Sequence, residues 1–271
     1  MKIKRKFLML FLILPIMCLA GCGNDSKESD LLKESSKKFS EVSSVRAKVN
    51  VDVLLESFAG TSGISLDMKL ENTSNPIKGH AEATTVLEKN GSYISGEMEV
   101  YQSTEDEVTT SYSRLNDFWT VEKDDYKNGS SSFKPEFINP YDKTEKFKLS
   151  VDDVIHNDNK CYELVGEMSG NEALKLFDIN TLSIVSDVKI PDEERISELK
   201  VPVVINIYKE NILPAKIFID MTDVLNDVYE EVDEEVTVGQ FTIKLEYYDF
   251  DNVESIEVPE SVVKNAVEIG E

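Results

Sequence analysis

Cysteine, histidine and tryptophan are scarce in this 271-residue chain, numbering three, two and one, and basic residues are outnumbered 29 to 52 by acidic ones. Each scarcity excludes something. Cys18 lies in an apolar leader and Cys22 at its end, so Cys161 has no intramolecular partner and no disulfide framework exists. His80 and His156 sit in no hydrolase or metalloprotease motif, which argues against an enzyme. A formal charge of −23, with no strongly basic stretch beyond the first residues, argues against nucleic acid, whose phosphates demand clustered Lys and Arg. The same charge keeps the domain soluble and repels it from anionic lipid headgroups. No cofactor or metal site is expected. Asp223 to Glu235 is crowded with carboxylates but lacks the spacing that wraps Ca²⁺, and reads as a solvated acidic loop.

What is present begins with Lys2, Lys4, Arg5 and Lys6, a positive cluster ahead of the 14-residue apolar run Phe7 to Ala20. That run is shorter than the about 20 residues of a bilayer-spanning helix, and Pro15 interrupts it. It reads as a secretory signal. Its end, Leu19-Ala20-Gly21-Cys22, resembles the lipobox of bacterial lipoproteins. The resemblance implies a diacylglyceryl group on the Cys22 thiol and cleavage between Gly21 and Cys22. At ~0.8 kcal/mol per buried CH₂, one acyl chain holds only marginally, whereas two anchor lastingly. Residues 1–21 are thus the expected signal peptide, and 22–30 a lipidated N-terminus and flexible tether. The expected location is the extracytoplasmic face of the cell membrane, lipid-anchored, with the membrane as a partner through Cys22.

Leu31, Leu32, Phe39 and Val42 recur at helical spacing. At Val45 the period changes to two: Val45, Ala47, Val49, Val51 and Val53 alternate with polar residues, as do Ile64, Leu66, Met68 and Leu70. Two consecutive strands with one apolar face each predict an antiparallel sheet. Asn90-Gly91 suits a tight hairpin turn, and Leu115-Asn116-Asp117-Phe118 a further reversal before Trp119, which reads as a core or sheet-edge aromatic. Further strands run through Tyr162, Ile205, Ile217 and Ile243, for about ten to twelve in all. Short helices are predicted over Ala173 to Phe177 after the Ser169/Glu172 capping pair, from Pro191 through Leu199, and from Pro259 through Val267. Asp124 to Lys143 reads as a long loop or a boundary between halves. His156 precedes Cys161 by five residues, but Asn157-Asp158-Asn159 reads as a turn and Cys161 as a small buried strand residue rather than a nucleophile.

The N-terminal helix, the one-sided strands, the sparse helices and the closing Tyr248-Asp249-Phe250 with Val253, Ile256, Val258 and Pro259 together resemble the LolA/LppX-like lipoprotein superfamily. The likeness is to its uncharacterised Gram-positive members and spans residues 31–268. It implies a mainly β domain with a few helices (α+β), in which a curved antiparallel sheet forms an unclosed barrel. Short helices would partly cover its concave face. Characterised relatives hold acyl chains there, so Val49, Val51, Val53, Leu66, Met68, Leu70 and Met98 become the expected apolar lining. Two functions follow: a non-enzymatic lipoprotein binding a lipid or other amphiphile, or an interaction module with a filled core that docks on an envelope protein.

Overall fold

The computed structural model describes residues 27–115, 118–125, 147–170, 173, 193–232 and 235–268. The alternating valines form β1 (Ser44–Ser57), in which Val45, Ala47, Val49, Val51 and Val53 are all buried. A meander follows: β2 (Gly60–Ser74), β3 (Ile77–Lys89), β4 (Ser92–Glu105), β5 (Val108–Leu115) and β6 (Phe118–Asp125). Asn90 and Gly91 have φ of 53° and 76°, the left-handed pair that a two-residue hairpin turn requires and that the Asn-Gly sequence supplies. Leu115 and Phe118 pair across the predicted reversal.

A second antiparallel set comprises β7 (Lys148–Leu149), β8 (Val154–His156), β9 (Asn159–Ser169), β10 (Lys200–Tyr208), β11 (Pro214–Asp220) and β12 (Thr237–Tyr248). The two sets join where β12 pairs with β1 along most of both strands, from Arg46↔Tyr248 to Glu56↔Thr237. The result is one 13-stranded sheet in the order β13-β6-β5-β4-β3-β2-β1-β12-β11-β10-β9-β7, with β8 beside β9. It does not close, because its two edges, β13 and β7, are not paired with each other. Only β13 (Val267–Glu268) departs from the expected antiparallel pattern among the described residues, running parallel to β6.

Four helices are seen among the described residues: α1 (Lys27–Ser40), α2 (Glu193–Ser197), α3 (Thr222–Val232) and α4 (Glu260–Asn265). α1 starts four residues before the sequence predicts, inside the expected tether, with Glu28 and Asp30 in its first turn, where acidic groups favour the helix dipole. α4 stops before Val267, which enters β13 instead. α3 corrects the acidic-loop reading. Leu225, Val228 and Tyr229 recur at helical spacing and are buried, so the carboxylates between them occupy the wet side of an amphipathic helix. The Asn226 side chain fastens α3 to β12, accepting from the Val238 N–H at 2.7 Å and donating to its carbonyl at 2.8 Å. The helix predicted over 173–177 lies outside the described residues except Ala173, which is helical and buried.

One core forms beneath the helices. Leu32 and Phe39 of α1, Ile196 of α2, and Leu225 and Tyr229 of α3 pack with Val51, Ile205, Ile217 and Ile243 of the sheet. Phe39 meets Tyr247 edge to face with ring centroids 5.5 Å apart.

Candidate ligand-binding faces of the sheet

Residues directly opposed in an antiparallel pair point to the same face. One row therefore crosses eight strands on one side: Leu164, Ile205, Ile217, Leu245, Val49, Met68, Ala83 and Met98. Burial is complete from Leu164 to Val49 and falls beyond it except at Ala83, which is 5% exposed. Leu164, Ile205 and Ile217 are sealed, while Met68 and Met98 are only half-buried. The row through Val53, Ile64, Leu87 and Ile94 shows the same gradient, from 4% exposure at Val53 to 70% at Ile94. Phe118, reached from Met98 through Leu115, is 78% exposed. The apolar face thus emerges from beneath the core as it passes from β2 to β6.

All seven expected lining residues stand on this face, at two depths. Val49, Val51 and Val53 are sealed in the core. Leu66, Met68 and Leu70 are half-buried against it, and Met98 is half-buried one strand beyond Ala83. The open strip therefore begins at β2, and sequence reasoning missed Leu87, Ile94 and Phe118 as its outer part. Their alternation was visible, but their exposure depends on how far the helices reach. Between the taller rows lie Ala81 and Ala83, small residues on the strip's floor. Gly21 and Cys22 lie outside the described residues.

The opposite face is polar. Lys69, Glu82, Glu99 and Arg114 oppose one another in succession on β2 to β5. Arg114 Nη2 donates to Glu99 Oε2 at 2.9 Å, and His80 Nε2 lies 3.3 Å from Glu99 Oε1. Tyr101 stacks on His80 with ring centroids 4.3 Å apart and 18° between planes, and Trp119 lies 6.0 Å further on. Trp119 therefore sits on the wet side, with the Arg114 guanidinium 5.7 Å from its ring. Partial burial alone would raise the Glu99 pKa, but hydrogen bonds with Tyr101 and His80 and the Arg114 charge outweigh it, and the net shift is downward. Burial, then the hydrogen bond to Glu99, pushes the Tyr101 phenol up to about 12. An open trough of about 540 Å³ runs beside the cluster, lined by Asp67, Lys69, Glu82, Glu97, Glu99 and Arg114 among others. Sequence reading missed this cluster because its members come from β3, β4, β5 and β6. Its single local signal is the His80-x-Glu82 alternation.

Cys161 is sealed on β9, as expected. Its Sγ–H makes a weak bond to the Asn159 carbonyl at 3.7 Å, and burial pushes its pKa up to about 11. His156 Nε2 lies 3.2 Å from Asn157 Nδ2 and 3.7 Å from Glu246, and burial lowers the His156 pKa. An activated thiol needs its pKa lowered, the opposite of what this site does.

Among the described residues no helix is long and apolar enough to cross a membrane. A family of unknown function, DUF6612, matches residues 27–267. No curated protein matches the chain. Similar solved structures include LprF from Mycobacterium bovis, 12% identical, with a TM-score of 0.47 and coverage of 86% of this chain and 96% of that one. A domain from Vibrio parahaemolyticus described as an outer membrane lipoprotein-sorting protein domain is 12% identical, with a TM-score of 0.24 and coverages of 89% and 98%. A DUF1329 family protein from Desulfovibrio piger is 10% identical, with a TM-score of 0.23 and coverages of 82% and 90%.

Proposed function

The chain belongs to the DUF6612 family, and from its own geometry we propose a non-enzymatic, lipid-anchored extracytoplasmic lipoprotein that holds a lipid or other amphiphile. The ligand lies along the open part of the sheet's apolar face. The observation that carries this reading is the burial gradient from Val53 to Ile94 and from Val49 to Met98. A Leu, Ile, Met or Phe side chain gains about 1.5–3 kcal/mol when fully removed from water. Here Leu66, Met68, Leu70, Leu87, Ile94, Met98 and Phe118 share one face and leave much of that gain unrealised. An acyl chain laid against them recovers it at ~0.8 kcal/mol per CH₂. Polar residues such as Gln102 and Ser111 occupy the other end of β4 and β5 on the same face, a gradient that suits a molecule with one apolar and one polar end.

Lipidation of Cys22 supplies the attachment, because the acidic surface does not. α1 begins at Lys27, five residues after Cys22, so the linking segment reaches at most about 17 Å when extended. The folded domain is thereby held close to the bilayer from which a lipid would come.

All described elements lie between residues 27 and 268, so the chain from Gly23 onward is the test object. Produced in a lipid-rich host, it carries a co-purifying amphiphile visible in native mass spectrometry and takes up a fluorescent fatty acid. Absence of both sinks the reading. Specific crosslinking of Ile94 or Phe118 to an envelope protein in its place would establish the interaction module. Separately, Cys22→Ser in the full chain abolishes metabolic labelling with a clickable fatty acid and releases the protein from the membrane fraction.

A further inference from the structure

We propose that His80, Glu82 and Glu99 form a binding site for a divalent first-row metal ion, Zn²⁺ by the chemistry of its donors, on the polar face of the sheet. His80 and Glu82 are two residues apart on β3 and share a face, and Glu99 stands directly opposite Glu82 on β4. Their ligand atoms all lie within 4.8 Å of one another. The separation of His80 Nε2 from Glu99 Oε1 is 3.3 Å. A tetrahedral ion with bonds of about 2.0–2.2 Å has ligand-to-ligand edges of about 3.3–3.6 Å. That pair is therefore already spaced as two ligands of one ion, and exposed Glu82 has the freedom to close the third position.

Three further observations favour a cation there. Glu82 and Glu99 are like charges directly opposed across a strand pair, an arrangement that costs free energy and that a bound cation relieves. Arg114 takes Oε2 of Glu99, which fixes the carboxylate while leaving Oε1 turned to His80. Tyr101 stacks flat on the His80 ring and bonds Glu99, so the Glu99 carboxylate is held by outer partners, as ligating groups in metal sites usually are, and the His80 ring is held by stacking. One imidazole and two carboxylates suit Zn²⁺ better than Ca²⁺, which takes six to eight oxygens. The trough lined by Glu82 and Glu99 leaves room for water or a small ligand at a fourth position.

This face is opposite to the apolar strip, so the two proposals stand or fall separately. The full-length chain in nonionic detergent is titrated with Zn²⁺ against a chromophoric chelator, and Trp119 emission is followed in parallel. Trp119 is the sole tryptophan and lies 6.0 Å from the Tyr101 ring, so its emission reports this cluster. The expected result is uptake of one equivalent with a change in emission. Glu82→Gln and His80→Ala each weaken affinity about tenfold or more, and Glu97→Gln, a neighbouring carboxylate on the same face, does not. Glu82 is exposed, so its substitution leaves the fold intact and keeps the test valid if His80→Ala unfolds. Failure of the chain to take up an equivalent, or wild-type affinity in Glu82→Gln, overturns the site.

Discussion

Ser43 donates twice to one carboxylate oxygen of Asp251, from its hydroxyl at 2.6 Å and from its backbone N–H at 2.7 Å, across 208 residues of sequence. The Asp251 N–H in turn donates to the Ser44 carbonyl at 2.8 Å. The bonds from the Ser43 hydroxyl and amide hold the Asp251 carboxyl below its ordinary pKa. A depressed folded-state pKa contributes stability that is present above the unfolded value of about 4 and is lost as pH falls through the folded value. Asp251→Asn is therefore expected to lower the denaturation midpoint at pH 7, with the difference from wild type closing under acid. Urea titrations at pH 7 and pH 3 check this, and a difference of equal size at both would refute it.

Cys161 is expected to be inert. In the chain from Gly23 onward it is the one thiol, sealed from solvent with its pKa near 11. A thiol reagent at pH 8 should label it only after denaturant is added, and rapid labelling of the native protein would contradict both its burial and its protonation.

Phe241 on β12 is fully buried and opposes Val53 of β1. Phe241→Ala removes a large side chain from the core where the two halves of the sheet meet, and the expected loss is about 3–5 kcal/mol. Chemical denaturation measures it. A loss under about 1 kcal/mol would show that this part of the core collapses freely around the cavity.

Gly170 follows β9 where α2 crosses close by. A Cβ there would lie 1.7 Å from the Ile196 carbonyl oxygen, a backbone atom that cannot swing aside. Gly170→Ala is expected to destabilise by about 1–3 kcal/mol or more through forced displacement of α2, read as a lower thermal midpoint.

Ile94→Ser and Phe118→Ser act at exposed positions and should leave stability within about 0.5 kcal/mol. Fatty-acid uptake should nonetheless fall in both, most in the double variant. Unchanged uptake in the double variant would remove the open strip from the proposed ligand site.

How far the fold was legible follows from the range of the signals. The valines of β1 and the Asn90-Gly91 turn are local patterns, fixed by a period of two and by positive φ, and the structure reproduces both. α3 is hard to see in the sequence because only Leu225, Val228 and Tyr229 mark its buried side amid a run of carboxylates. β13 has no local signal because its pairing partner on β6 lies 147 residues earlier, Val267 opposite Thr120. Periodicity shows that Val51 and Met68 share one face, but helix packing decides that Val51 is sealed and Met68 half-buried. The His80–Glu99 cluster is a cross-strand constellation, set by register between strands. A single chain read in order carries no signal for that beyond His80 and Glu82 sharing parity.

The pairing of β1 with β12 constrains the order of assembly. β1 ends at Ser57, yet its partner β12, Thr237 to Tyr248, begins only 180 residues later. The N-terminal meander must wait with one hydrogen-bonding edge open and half of its core still to arrive. Contacts of such sequence separation fold slowly, and an open edge is a template for mispairing with another chain. The two halves of the sheet therefore join only when β12 seats against β1, and truncation before Tyr248 should leave an open-edged, aggregation-prone half-sheet rather than a smaller domain.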